Sequence, residues 1–243
     1  MPFTFSHPAI ILPLNYLPKK WISLTGLIIG SLTPDFEYFL RMKIESNYSH
    51  TISGIFWFDL PLGILLTFIF HNLVKNELYK NSPKILSERL LNIKELNWNK
   101  HFVENWKIII ISILIGTASH IFWDGFTHNG GFFVKNIPEL SKTIEINGTP
   151  IKILKILQHL STLIGAIIIA VAIWKLPKIA DFENKINLKY WIIVALITLS
   201  FFTLKIISGE NSRLIGNVIV SLISSGMIGI IITPIILNKK NGS

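Results

Sequence analysis

Five stretches of this 243-residue chain are apolar for nearly the length that crosses a bilayer, and polar residues gather in the segments between them. The cleanest is LIGNVIVSLISSGMIGIIITPIIL, residues 214 to 237, which carries no charged side chain and stops just before Lys239 and Lys240. A run of about 20 apolar residues matches the thickness of the hydrocarbon core, so this one predicts a transmembrane helix with some tilt. Residues 52 to 74, 107 to 123, 156 to 174 and 190 to 207 predict four more. The expected fold is therefore all-α, a polytopic integral membrane protein of about five transmembrane helices. One membrane domain is expected over residues 1–243, with the chemistry in residues 1–165 and mainly transmembrane helices over 166–243.

The first thirty residues follow a different pattern. Pro8, Pro13 and Pro18 interrupt the apolar run, and WISLTGLIIG, residues 21 to 30, is too short for a full crossing. Proline removes a backbone donor and breaks a helix interior, so residues 8 to 32 predict a re-entrant or partly buried helical pair. No basic residue precedes the apolar part and no small-residue cleavage pattern follows it, so the segment is expected to be retained and not to be a secretory signal.

Composition agrees with the membrane reading: half of the residues are hydrophobic, charged residues are 15%, and mean hydropathy is +0.52. The net charge of +9 would suit nucleic acid, but no helix-turn-helix and no interleaving of aromatic and basic residues supports that partner. The basic residues instead sort by loop. Residues 75 to 107 hold Lys75, Lys80, Lys84, Arg89, Lys94, Lys100 and Lys107, residues 175 to 189 hold four more lysines, and Lys239 and Lys240 close the chain. With alternating spans, these thirteen of the 23 basic residues share one side, expected to be cytoplasmic by the positive-inside rule. The expected location is a bacterial inner membrane, with membrane lipids as partners and the oligomeric state open.

The opposite, non-cytoplasmic side collects the residues capable of chemistry. Asp35 lies in SLTPDFEYF, His50 in NYSHT, Asp59 about two turns into the first clear span, and His120 and Asp124 end the second span in GTASHIFWDGFTHNGG. His128 follows them, and His159 begins the third span from the same side. Residues four apart on a helix share a face, so His120 and Asp124 can hold one ion or two adjacent ones. Gly125, Gly130 and Gly131 predict a helix end that lets His128 turn back toward them. Without cysteine, any metal must be held by His, Asp and Glu, a donor set that suits zinc, manganese or iron. A polar residue in a span costs roughly 2.5 to 3.5 kcal/mol on insertion scales and needs a partner or a cavity. Structural readings stand beside these: His120 and Asp124 bonded to each other, Asp35 as a turn or cap residue, Asp59 as a cap or kink before Pro61, His159 as an interfacial histidine, Glu37 and Glu45 solvated.

The opening MPFTFSHPA, the block GSLTPDFEYF, the SHT triplet and SHIFWDGFTH resemble a bacterial membrane-protein family of unknown function that begins this way, itself similar to the YdjM-like inner-membrane metal-dependent hydrolases. The likeness covers roughly residues 1 to 130. At longer range the order of histidines and aspartates is similar to that of the zinc-dependent phospholipases C. The resemblance implies His7, Asp35, His50, His120, Asp124, His128 and His159 as metal ligands, with Asp35 and Asp124 as bridges between ions. The phospholipase pattern is not complete: its later His-x-x-x-Glu pair appears here as His159 with Leu163. One or two ions, zinc first, are therefore expected rather than three. The expected activity is a membrane-embedded metal-dependent hydrolase acting on a phosphoester or other ester of a lipid or envelope component, with Asp35 or Asp59 orienting the attacking water where not a ligand. A non-catalytic metal-binding membrane protein is the alternative, and a transporter is a third.

Overall fold

A computed structural model describes residues 3–93, 96–183, 185–209 and 214–240, with side chains up to residue 237. Met1 and Pro2 of the opening motif, Lys94, residues 210–213 and the side chains of Lys239 and Lys240 lie outside the described residues. Helices dominate: α1 (Pro8–Ile11), α2 (Leu24–Leu32), α3 (Phe36–Arg41), α4 (Ile52–Lys80), α5 (Lys84–Leu90), α6 (Trp98–Asp124), α7 (Phe132–Asn136), α8 (Ile153–Trp174), α9 (Leu188–Ile207) and α10 (Ile215–Lys240). The helices α4, α6, α8 and α9, and α10 over Ile215–Leu237, are each long and apolar enough to cross a membrane, as the five apolar runs predict. The N-terminal pair is present as α1, continued by a 3-10 turn over Leu12–Tyr16, and the nine-residue α2. At 1.5 Å per residue neither piece spans the hydrocarbon core.

The chain forms two compact units. The first comprises Met1–Pro34, Tyr48–Ile64 and Asn105–Ala172, and the second Asp35–Asn47, Leu65–Glu104 and Ile173–Ser243. In the first, small residues let α2 lie directly on α6. A Cβ on Gly30 would stand 2.2 Å from the Ile113 carbonyl oxygen, and one on Gly116 would stand 2.3 Å from that of Leu27. Lipid tails are as apolar as leucine, so helices in a membrane associate by close packing and hydrogen bonds rather than by escape from water. Both are visible here: Ser23 N–H donates to Ser112 Oγ at 2.8 Å, and Thr117 Oγ1 donates to the Gly30 carbonyl at 3.2 Å. The N-terminal turn is fastened to α8, where Ser6 Oγ donates to the Thr162 carbonyl and Phe3 N–H to Thr162 Oγ1. Gly165 makes room for it, since a Cβ there would sit 2.8 Å from the Ser6 carbonyl oxygen.

Helix α4 contains two π-turns, at Ile55–Asp59 and Phe70–Val74. The first precedes Pro61, whose missing N–H and ring are incompatible with a regular turn, and the wider turn absorbs both. Asp59, the last residue of that π-turn, is wholly buried. A two-residue turn at Asn147 and Gly148, both at positive φ, closes an exposed hairpin of β1 (Thr143–Ile146) and β2 (Thr149–Lys152). The Asn-Gly pair is the signal for this turn type, although the apolar pattern does not predict a hairpin.

In the second unit α9 and α10 pack closely, with Gly229 against the Val194 backbone. Ser224 and Ser221 of α10 donate to the carbonyls of Phe39 and Met42, holding α3 and its left-handed C-cap. Glu37, expected to be solvated, is only 2% exposed. It pairs with Arg41 one helical turn away and accepts hydrogen bonds from Ser46 Oγ and Asn47 N–H. A buried carboxylate tied three ways in this manner holds a loop in shape.

Candidate metal centre

The site is built on the last turn of α6. His120 and Asp124 are 0% and 4% exposed, and as expected for i and i+4 they share a face, His120 Nε2 standing 3.3 Å from Asp124 Oδ2. Close packing of α2 on α6 decides the chemistry of that pair. It brings the Ser31 carbonyl to 2.7 Å from His120 Nδ1, and a carbonyl can only accept, so Nδ1 carries the proton. In the neutral ring Nε2 then presents its lone pair toward a carboxylate oxygen. Two acceptors facing each other repel unless a cation stands between them, and such orientation of a ligand histidine by a carbonyl on its other nitrogen is the usual arrangement in metal sites.

Three further imidazoles surround the same carboxylate. His7 Nε2 is 3.5 Å from Asp124 Oδ1, and its ring stacks on that of His120 with centroids 3.7 Å apart. His50 Nε2 and His128 Nδ1 are each 3.5 Å from Asp124 Oδ2. Neither Asp124 oxygen accepts a hydrogen bond of acceptable geometry among the described residues. Charge-assisted hydrogen bonds are shorter, about 2.7 to 2.9 Å. The separations of 3.3 to 3.5 Å are longer than that, and His128 Nδ1 donates to the Asp124 backbone carbonyl at 3.1 Å.

Asp35 is wholly buried and closes the 3-10 turn Thr33–Asp35. Thr33, also buried, fixes the turn by donating from Oγ1 to the Ile29 carbonyl. One ligand atom from each of Asp35, His50, His120 and Asp124 lies within 4.8 Å of the other three, a group able to hold a metal ion.

The remaining sequence-derived residues are placed as follows. His7 is buried against the site, held there by Pro8 at the start of α1 and by the contacts of Ser6 with α8. His128 reaches it because the chain reverses tightly after α6. Gly131 lies so close to the Gly125 backbone that a Cβ would meet the Gly125 carbonyl oxygen at 2.3 Å, and the Phe133 and Val134 amides donate to that same carbonyl. Burial pushes the His128 imidazole below its usual pKa, with the Asp124 carboxylate pulling the other way. His159 is exposed on α8 and does not belong to the group of four. Asp59 is buried in the π-turn of α4 and is likewise not one of the four. His50 and His128, with side chains 22% and 32% exposed, form the open side of the cluster. Sequence reasoning does not find the Ser31 carbonyl, because a backbone atom leaves no mark in the residue pattern; the glycines that admit it, Gly26 and Gly30, are the available signal.

The chain belongs to a family described as a domain of unknown function, DUF4184, whose profile matches residues 1–235. No curated protein and no solved structure matches it. Family membership therefore supplies no activity, and any function has to be argued from the site.

Proposed function

We propose that this DUF4184 member holds a divalent cation, zinc first among them, at Asp35, His50, His120 and Asp124 and hydrolyses an ester with it. The observation that carries the reading is the convergence of two carboxylates and two imidazoles on one point, three of the four side chains being almost wholly buried. Metal–ligand bonds of about 2.0 to 2.1 Å in a tetrahedral site place neighbouring ligand atoms about 3.3 Å apart. The separations from Asp124 Oδ2 to His120 and His50, 3.3 and 3.5 Å, fit that edge length. Two ionised aspartates also balance the two charges of the ion, which a buried site requires.

A bound ion of this kind lowers the pKa of coordinated water toward neutrality and polarises the ester. The chain's own groups do the rest. Asp124 orients the imidazoles, His50 and His128 line the accessible side, and Asp59, or Asp35 where it is not a ligand, orients the water. His7 extends the ligand set on the Oδ1 side of Asp124, where a second ion would bind. A site at the tip of a membrane-spanning helix meets both lipid and water, so the substrate is a phosphoester or other ester of a lipid or envelope component. This matches the resemblance to inner-membrane hydrolases and phospholipases C. By the positive-inside rule the site faces the non-cytoplasmic side of a bacterial inner membrane.

The test is metal analysis of the purified chain beside the double variant His120→Ala with Asp124→Ala, followed by a panel of phosphodiesters and phospholipids with and without chelator. Wild-type protein is expected to carry metal and to hydrolyse at least one member in a chelator-sensitive way. Equal metal in both proteins refutes the ligand assignment. A second reading, a structural metal site without catalysis, is favoured by the near-complete burial of Asp35, His120 and Asp124. Bound metal with no hydrolysis across the panel would select it.

A further inference from the structure

The second unit contains a cleft of about 390 Å³ that has no part in the metal centre. Its walls come from the end of α4 and the start of α6. Lys75, only 8% exposed, lies on one wall, and no acidic side chain is among the described residues that line it. His71 and four asparagines add to the polar lining, and two of the asparagines, Asn72 and Asn99, are joined by a hydrogen bond of 2.9 Å. Asn97 is the N-cap of α6: its carbonyl accepts from His101 N–H and its side chain from Lys100 N–H. These two bonds cap the short helical stretch that precedes the break in α6 at Asn105.

Trp98 supplies the independent observation. This residue lines the cleft, is 2% exposed, and its indole N–H has no hydrogen-bond acceptor among the described residues. The His71 ring lies parallel to the indole, with centroids 4.1 Å apart and 1° between planes, which fixes its orientation. A buried donor without an acceptor is destabilising, a cost that an acceptor ligand would remove. An ammonium, several carboxamides and an indole N–H together offer donors from several directions and, among the described lining residues, no fixed negative charge. That inventory complements an oxyanion with several acceptor oxygens better than a halide or a neutral molecule.

We propose that this cleft binds a phosphate group, either as a free anion or as the headgroup phosphate of an anionic lipid. The lipid source has a topological argument: the cleft joins the end of one membrane-spanning helix to the start of the next, so both lie at one membrane face, the level of headgroup phosphates.

Binding of inorganic phosphate to the detergent-solubilised full chain is measured by calorimetry, and retention of phosphatidic acid against phosphatidylcholine by native mass spectrometry. Three variants localise the signal. Lys75→Gln removes the ammonium, Asn76→Asp places a negative charge on an exposed wall position that the fold tolerates, and Trp98→Phe keeps the ring and removes the N–H. Lys75→Gln and Asn76→Asp are each expected to weaken binding about tenfold or more, the equivalent of one charge-assisted hydrogen bond. Trp98→Phe is expected to weaken it several-fold. Binding of inorganic phosphate identifies the free anion as sufficient, whereas selective retention of phosphatidic acid alone identifies the lipid headgroup. The proposal is overturned if wild-type protein binds neither, or if Asn76→Asp, which keeps the fold, binds as wild type does.

Discussion

Replacing Asp124 by asparagine isolates the charge of the one side chain that all four neighbouring imidazoles face. Asparagine keeps the shape and an oxygen donor. Two aspartates and two neutral imidazoles around a divalent ion give a neutral buried cluster, and Asp124→Asn leaves one uncompensated positive charge in a place 4% exposed. Breaking a buried charge balance on one side costs about 3 to 5 kcal/mol, which corresponds to a loss of metal affinity of about a hundredfold to a few thousandfold. His50→Ala removes a donor without changing the charge balance and opens a side that is already partly exposed, so its loss is smaller. Competition with a chromophoric chelator measures both affinities. A second readout is thermal: an ion at a hundred times its Kd stabilises by about 2.7 kcal/mol, or about 5 to 11 °C for a chain of this size. Wild-type protein should lose that increment on chelation, and Asp124→Asn should show none to lose. An Asp124→Asn protein that holds metal within tenfold of wild type would show that the carboxylate is not a ligand, and the reasoning from charge balance would fall with it.

Other expectations follow from the packing. Gly30→Ala drives a methyl group to 2.2 Å from the Ile113 carbonyl oxygen, and the forced separation of α2 from α6 should destabilise by about 1 to 3 kcal/mol or more, read as a lower midpoint of thermal unfolding. Because that separation also withdraws the Ser31 carbonyl from His120, metal affinity should fall in the same variant. Thr117→Val removes the interhelical donor to the Gly30 carbonyl, which keeps only the Thr33 N–H, and should cost about 1 kcal/mol by the same measurement. Glu88 is held below the usual carboxylate pKa; burial opposes this, but hydrogen bonds from Arg89 and Lys178 outweigh it. A depressed folded-state pKa stabilises above the unfolded value, about 4.3, and the contribution fades as pH falls through the folded value. The difference in melting temperature between wild type and Glu88→Gln should therefore be present at pH 7 and shrink at pH 3. Gly148→Val, at φ +76°, should loosen the β1–β2 hairpin by about 1 kcal/mol, visible as faster amide exchange confined to Thr143–Lys152.

The sequence by itself determined the five apolar helices, because length and hydropathy are local properties and the bilayer reads them directly. It determined the His120–Asp124 pair for the same reason: four residues on a helix is a fixed rotation, whatever packs around it. His50 and Asp35 were legible as chemistry-bearing residues on the same side of the membrane, but not as neighbours of that pair. The carbonyl that orients His120 arrives through contacts such as Gly30 on Ile113 and Gly116 on Leu27, which bring segments about 90 residues apart in the chain together. Only the tertiary structure decided that Ser31 offers its carbonyl to His120, that Glu37 is buried on Arg41, and that His159 faces outward. A backbone oxygen has no residue identity, a carboxylate looks the same in sequence whether solvated or paired, and a histidine at a helix entrance points inward or outward according to which neighbour the fold supplies. Periodicity fixes what one helix presents along its own surface; which of those surfaces meet is settled by close packing between segments distant in the chain, and the geometry of the candidate metal site is a product of that packing.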